Sequence, residues 1–248
     1  MRQAEIEVLR LSETTSTNDE AKRLMFQSMA QKVIVMTDYQ TAGRGQTGNT
    51  WESERGKNLL FSVGVRPAFL PARRQFLLLQ VMSLAVAQTL VQYTDNISIK
   101  WPNDIYWCDK KISGTLIENE LSGESIRQCV LGTGINVNQE HFVSDAPNPV
   151  SLRQILGHDV PRDRLFMDFL KHFETFYSRL ESGESESLAQ QYGDSLYWRE
   201  GMHPYRDSRG TFRAFIDGVE PDGHLLLRTD EGQVRRYAFK EVSFLITL

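Results

Sequence analysis

Two cations set among glycines and amides are the residues of this sequence best suited to chemistry. Arg44 lies in TAGRGQTGNTW (41–51), and Lys111 lies in IKWPNDIYWCDKKISG (99–114), which also holds Asn103 and Asp104. Both side chains are fixed positive charges. Kept apart, each is an ordinary solvated surface charge. The glycine segment fits two nucleotide motifs and completes neither. Gly43, Gly45 and Gly48 spell G-x-G-x-x-G, but NTWESERGKNLLFSV has no helical apolar period, and the strand ending VGVRP supplies no acid for a ribose. Read as G-x-x-x-x-G, the segment continues with Asn49 and Thr50, where a P-loop needs Lys and then Ser or Thr. What remains is a glycine-rich connection carrying Arg44. It could close over a ligand, because glycine accepts φ values that other residues resist; a plain turn-rich connection would look the same.

The elements that must position these residues follow from periodicity. AEIEVLRL (4–11) reads as an edge strand with Ile6 and Val8 on one face. TTSTNDEAKRLMFQSMA turns helical, with Ala21, Leu24, Met25 and Met29 sharing a face and Thr17 and Glu20 placed for a capping box. KVIVMTD (32–38) is a short apolar strand leading into the glycine segment, and KNLLFSVGV is the strand after it. FLLLQVMSLAVAQTLVQY (76–93) is a buried helix; as a lipid span it would strand Gln80, Ser83 and Gln88. NISIKWP is a strand stopped by Pro102, and ISGTLIENEL and SIRQCVLGTGINV are two more, joined by a hairpin at Ser122 and Gly123. HFVSDAPNPV is loop. PRDRLFMDFLKHFETFYSRL is an amphipathic helix with Leu165, Phe169, Phe173, Phe176 and Leu180 on its core face. From about Trp198 to Gly201 onward, turn signals at DSRG, EPDG and TDEG separate short strands, the texture of a small β-barrel leaning on the main domain.

Composition narrows the function classes. The chain has 248 residues, 40% hydrophobic and 24% charged, with a formal charge of -4, which argues against bulk electrostatic binding of nucleic acid. Two cysteines, Cys108 and Cys129, are too few for a disulfide scaffold or a zinc site and suit a reducing cytosol. The opening MRQAEIEVLRLSE lacks a signal-peptide core, so a cytoplasmic location and no membrane association are expected.

TTSTND near the start, TAGRG with Trp51, KWPND followed by Lys111 and Gly114, and GTGINVN (132–138) occur in one order along the chain. Together they resemble the biotin protein ligase family, over nearly the whole sequence, in its monofunctional type without a DNA-binding domain. The resemblance implies an α+β fold: a mixed β-sheet with helices, like the class II aminoacyl-tRNA synthetases, over 1–198, and an SH3-like barrel over 199–248. It implies two acyl steps. Biotin is activated by Mg²⁺-ATP as biotinyl-AMP, then passed to one lysine of a biotin carboxyl carrier domain. Arg44 and Lys111 match the family's cations, and both would touch biotin and the adenylate. Ser16, Thr17 and Gln40 would serve the ureido group, with Asn18 supporting the turn, although Ser, Thr and Asn before a helix are also what a cap looks like. Gly43, Gly45 and Gly48 would suit a loop that orders over the ligand, with Gly43, Gly45 and Gln46 touching biotin. Trp51 would cover the bicyclic ring, or be plain core. The backbone from Lys111 to Gly114 would line the same slot. Asn103 and Asn136 would match the adenine edge, unless Asn136 only closes a turn. Asp104 would orient or deprotonate the incoming lysine, or simply cap the surface.

The chain departs from the pattern in two places. Where some members read GRGRRGR it reads GRGQTGN, leaving more of the positive charge to Arg44 and Lys111. HFVSDAPNPVSL has no tryptophan to pack on adenine, so Val150 or Leu152 is expected to substitute. The rival is a lipoate ligase of the same fold, but the chain lacks an RR-x-x-GGG-A-V-type segment and KWPND is foreign to that group. With Ser16 so early, no room is expected for a helix-turn-helix, hence no DNA partner. The sheet edge that would meet a carrier could equally pair with a second copy in a homodimer.

Overall fold

The computed structural model describes residues 6–46, 48–144 and 148–246. Thr47 of the glycine segment, 145–147 of the HFVSDAPNPV loop and the first two residues of AEIEVLRL lie outside the described residues.

A seven-stranded sheet carries the larger part. Its strands are β1 (Ile6–Leu11), β2 (Lys32–Thr37), β3 (Leu59–Val65), β4 (Ile97–Lys100), β5 (Asp104–Trp107), β6 (Lys110–Ser122) and β7 (Ser125–Ile135), in the order β1-β2-β3-β7-β6-β5-β4. Only β1 and β2 run parallel; the other neighbours are antiparallel, so the sheet is mixed. Helices α1 (Thr17–Gln27), α2 (Phe76–Leu90), α3 (Leu152–Leu156), α4 (Arg162–Glu181) and α5 (Ser185–Asp194) cover it. β2 and β3 are buried on both faces and therefore read as apolar runs rather than alternating ones.

The two faces differ in size. Ile34, Met36, Phe61 and Val63 join α2, α4 and α5 in the main core, whereas Val33, Val35 and Val130 meet Ala21, Leu24 and Met25 of α1. α2 is apolar all round because it lies inside the main core. The α1 face is thin, and its small residues are required by contact. A Cβ on Gly64 would stand 2.5 Å from Met25 Sδ and 2.8 Å from Val33 Cγ2.

Five strands, β8 (His203–Asp207), β9 (Gly210–Val219), β10 (Leu225–Thr229), β11 (Val234–Tyr237) and β12 (Ser243–Phe244), form a second, antiparallel sheet of order β11-β10-β9-β8-β12. It leans on the first where the Trp101 indole N–H donates to Gly223 O at 2.9 Å. Gly223 has φ +96, and a Cβ there would lie 2.6 Å from Phe76 Cδ2, so conformation and space both demand glycine.

Several expectations need correction. β1 is an edge strand, but Ile6 and Val8 face outward, and Leu9 and Leu11 pack inward against the α1 cluster. Met29 lies beyond the end of α1 and is 93% exposed. Thr17 and Glu20 make no capping box: the N-cap of α1 is Ser16, with no side-chain cap bond, and Glu20 pairs with Arg23. A true capping box stands at Ser151 and Gln154, opening α3, a helix that the loop residues before it concealed. The stretch between Asp104 and Lys111 is a hairpin of β5 and β6. α5 carries so short an apolar pattern that only its packing on α2 and α4 reveals it.

Candidate active site

On the α1 side of the sheet lies a cavity of about 730 Å³, within the usual range for a small-molecule site. Its floor is built from strand neighbours without bulk. Gly132 and Gly134 stand two apart on β7, on one face, with Ser62 and Leu60 as their partners on β3. Asn18 settles on Gly132, where a Cβ would be 1.9 Å from its Oδ1; the Trp51 indole settles on Gly134, where a Cβ would be 2.3 Å from Cε2. Glycine inside a strand here marks close approach rather than weakness.

Ser16, Thr17 and Asn18 are buried at the start of α1. The Thr17 backbone N–H and hydroxyl both donate to Gln40 Oε1, at 2.7 and 3.1 Å, and Ser62 Oγ lies 2.7 Å from Thr17 Oγ1 and 2.6 Å from Asn18 Oδ1. These side chains hold one another, which keeps a polar pocket ordered in a poorly solvated place.

The glycine segment is a small hairpin. Arg44 bridges Thr50, Gly45 N–H donates to Asn49 O at 2.7 Å, and Trp51 N–H donates to Gly43 O at 3.0 Å. Gly43 is the predicted residue that does not line the cavity: a Cβ there would be 2.9 Å from Trp51 O, so it serves the hairpin's base. Ser16, Thr17, Asn18, Gln40, Arg44, Gly45, Gln46, Trp51, Asn103, Asp104, Lys111, Gly114 and Asn136 all line it.

Both cations carry partners. Lys111 Nζ is 2.7 Å from Asp104 Oδ1, in room left by Gly114, and 5.8 Å from the Trp51 ring centroid. Arg44 is bidentate to Asp19 at 2.8 Å twice. The hydrogen bond to Asp19 is the largest influence raising the Arg44 pKa, and the reciprocal bond is the largest lowering that of Asp19. Asn103 donates to Thr115 O, and Asn136 Nδ2 donates to Val150 O at 3.1 Å, which leaves Asn136 Oδ1 buried without a partner. Trp51 Nε1 is likewise buried and unpaired. Unsatisfied buried groups are costly, and these two sit beside the cavity without opening onto it.

The profile of the biotin/lipoate A/B protein ligase family matches residues 9–136. The chain belongs to this family. It is 30% identical to the bifunctional ligase/repressor BirA of Bacillus subtilis, over 90% of this chain and 70% of that protein. It is 28% identical to the biotin--[acetyl-CoA-carboxylase] ligase of Paracoccus denitrificans, over 90% and 95%. Its fold matches that of the biotin protein ligase from Aquifex aeolicus in complex with biotin and ATP, with TM-score 0.77 and 26% identity over 96% of this chain and 97% of that one. The mixed sheet with helices is thus the biotin protein ligase fold, and the small antiparallel sheet fits its SH3-like part.

Some residues around this family member's cavity escaped the sequence reading. Phe142 lines it, whereas Val150 and Leu152 are buried in the main core and Val150 offers the site only its carbonyl. This phenylalanine stands in the very segment that has no tryptophan. Glu52 draws its segment toward the hairpin by accepting Val143 and Ser144 N–H, each at 2.9 Å. Burial pushes the Glu52 carboxyl up, but those bonds and one from Gln139 outweigh it and the net shift is downward. Lys100 also lines the cavity, cross-strand from Asp104 and near the Tyr106 and Phe244 rings at 5.4 and 4.9 Å. Burial lowers its pKa, Asp104 opposes this, and Lys111 adds to it. The alternation GTG and the lysine opening KWPND were the available signals for the glycine floor and for Lys100.

Proposed function

We infer that the chain is an ATP-dependent biotin protein ligase that forms biotinyl-AMP and transfers biotin to a lysine of a carboxyl carrier protein. The observation carrying this reading is that Arg44 and Lys111 share one cavity with the polar cluster at Ser16 to Asn18 and the amides of Asn103 and Asn136.

In the first step an oxygen of the biotin carboxylate attacks the α-phosphorus and the bond to pyrophosphate breaks. Arg44 and Lys111 offset charge that grows on the phosphorus oxygens, in a partly dehydrated site where such interactions are strongest. The Ser16–Thr17–Gln40 cluster takes the ureido group, and Trp51 covers the ring system. Asn103 and Asn136 meet the adenine edge, with Phe142 packing on the base. In the second step the acceptor amine attacks the acyl carbon, the bond to AMP oxygen breaks, and the amine loses a proton. Asp104, held by Lys111, orients that amine. The hairpin excludes water, which would hydrolyse the mixed anhydride.

Mg²⁺ would supply charge neutralisation. Asp104 and Glu52 are carboxylates lining the cavity, and both are already bonded within the protein. The ion would therefore be carried mainly by phosphates and water, as Mg²⁺ commonly is in nucleotide sites. We divide the chain at 198/199 into catalytic and SH3-like parts and place it in the cytoplasm; among the described residues no helix is long and apolar enough to cross a membrane.

The test is incubation with biotin, Mg-ATP and a purified carrier domain, followed by weighing the carrier. A mass increase of one biotin is expected. No increase refutes the reading, and an increase with lipoate but not biotin assigns the rival activity.

A further inference from the structure

We propose that Asp19 is a positioning residue for Arg44, forming with Glu118 an ionic latch outside the cavity that keeps the hairpin shut and sets how long the adenylate is retained. This rests on the ligase reading. Arg44 lines the cavity, but neither Asp19 nor Glu118 does. Asp19, in the first turn of α1, accepts both terminal guanidinium nitrogens at 2.8 Å, and Glu118 on β6 lies 3.7 Å from Nη2. Glu118 is itself fixed by Asn18 Nδ2 at 2.6 Å and Lys22 Nζ at 2.8 Å. The hairpin is thus tied by one side chain to both a helix and a strand of the body.

Bidentate pairing sets the guanidinium plane and uses two of its five N–H donors, leaving three for a phosphate. The latch and the ligand can therefore be held together. In a hairpin with Gln46 and Asn49 in place of further cations, ligand phosphate alone has less charge with which to hold the loop. The Asp19 contact supplies closure from the protein's side. Asp19 and Arg44 are 45% and 43% exposed at their side chains. An ion pair so exposed changes the closing equilibrium by roughly two- to five-fold, and salt screens it.

The wild type is first assayed for adenylate formation from labelled biotin and Mg-ATP; it, Asp19→Asn, Arg44→Gln and the double variant are then loaded with preformed labelled biotinyl-AMP and chased with unlabelled biotinyl-AMP. Release of labelled adenylate from Asp19→Asn should be roughly two- to five-fold faster than from the wild type. Wild-type release should accelerate with salt more steeply than that of Asp19→Asn. In the Arg44→Gln background, Asp19→Asn should add nothing, whereas a merely structural role for Asp19 would give the same increment in both backgrounds. Unchanged release, or equal increments, overturns the proposal. Hydrogen exchange of the Gly45 and Trp51 amides without ligand is the second measurement, expected to be faster in Asp19→Asn. If the wild type makes no adenylate, the ligase reading fails, and the exchange rates still decide whether the latch exists.

Discussion

Lys111 and Asp104 meet in a space that a side chain at 114 would fill, so the ammonium is placed by what is missing as much as by its partner. On the proposed mechanism, replacing Lys111 by Ala removes a fixed cation from the phosphorus centre. Adenylate formation, followed as pyrophosphate release, should fall by about 100-fold or more, while thermal unfolding barely moves, because partly exposed pairs contribute little to stability. Gly134→Ala tests the floor. Its Cβ would fall 2.3 Å from Trp51 Cε2, so the indole must leave its seat. We expect biotin affinity in calorimetry to drop roughly ten-fold, about the scale of a lost ring contact, with ATP affinity less affected. At this scale residue type alone singled out the cations, amides and glycines in the sequence, and of those site residues all but Gly43 line the cavity. Ser62, Phe142 and the Arg44–Asp19 pair were not legible there, since nothing local says which serine, phenylalanine or aspartate will face a given residue.

The elements obey their periods except where a neighbour decides. The spacing of Leu165, Phe169, Phe173, Phe176 and Leu180 foretells the buried face of α4, and all five are buried. In β1 alternation correctly gives two faces, but which one is covered depends on the position of α1. Thr17 and Glu20 had the spacing of a capping box, yet the Thr17 N–H and hydroxyl are both spent on Gln40. The contact between α1 and β3 is also close-packed. Gly64→Ala would press on Met25 Sδ at 2.5 Å and Val33 Cγ2 at 2.8 Å. Overpacking of this kind costs about 1–3 kcal/mol, and chemical denaturation should show that loss with an unchanged m-value.

The whole molecule joins two sheets through Trp101, Phe239 and Gly223, and the second sheet has its own electrostatic anchor. Asp207, with only 2% of its side chain exposed, accepts from Tyr237 Oη at 2.7 Å and Arg209 N at 2.8 Å and lies 3.5 Å from Arg209 and Arg235. Burial raises its pKa, but these partners prevail and hold it below the ordinary value of 3.8. A depressed carboxylate contributes stability above its unfolded pKa and loses it as pH falls through the folded one. Wild type should therefore lose stability below about pH 4. Asp207→Asn should be less stable at neutral pH and show a shallower acid decline, read by thermal unfolding against pH.

By itself the sequence determined most of the elements and the list of chemically apt residues, because periodicity and residue type are local properties, and the order of its motifs carried the family resemblance that implied the fold class. The tertiary structure decided which of them meet. Strand register put Gly132 and Gly134 under Asn18 and Trp51, and the packing of α1 gave Arg44 its carboxylate. Those are contacts between residues far apart in the chain, and only the assembled sheet sets their distances.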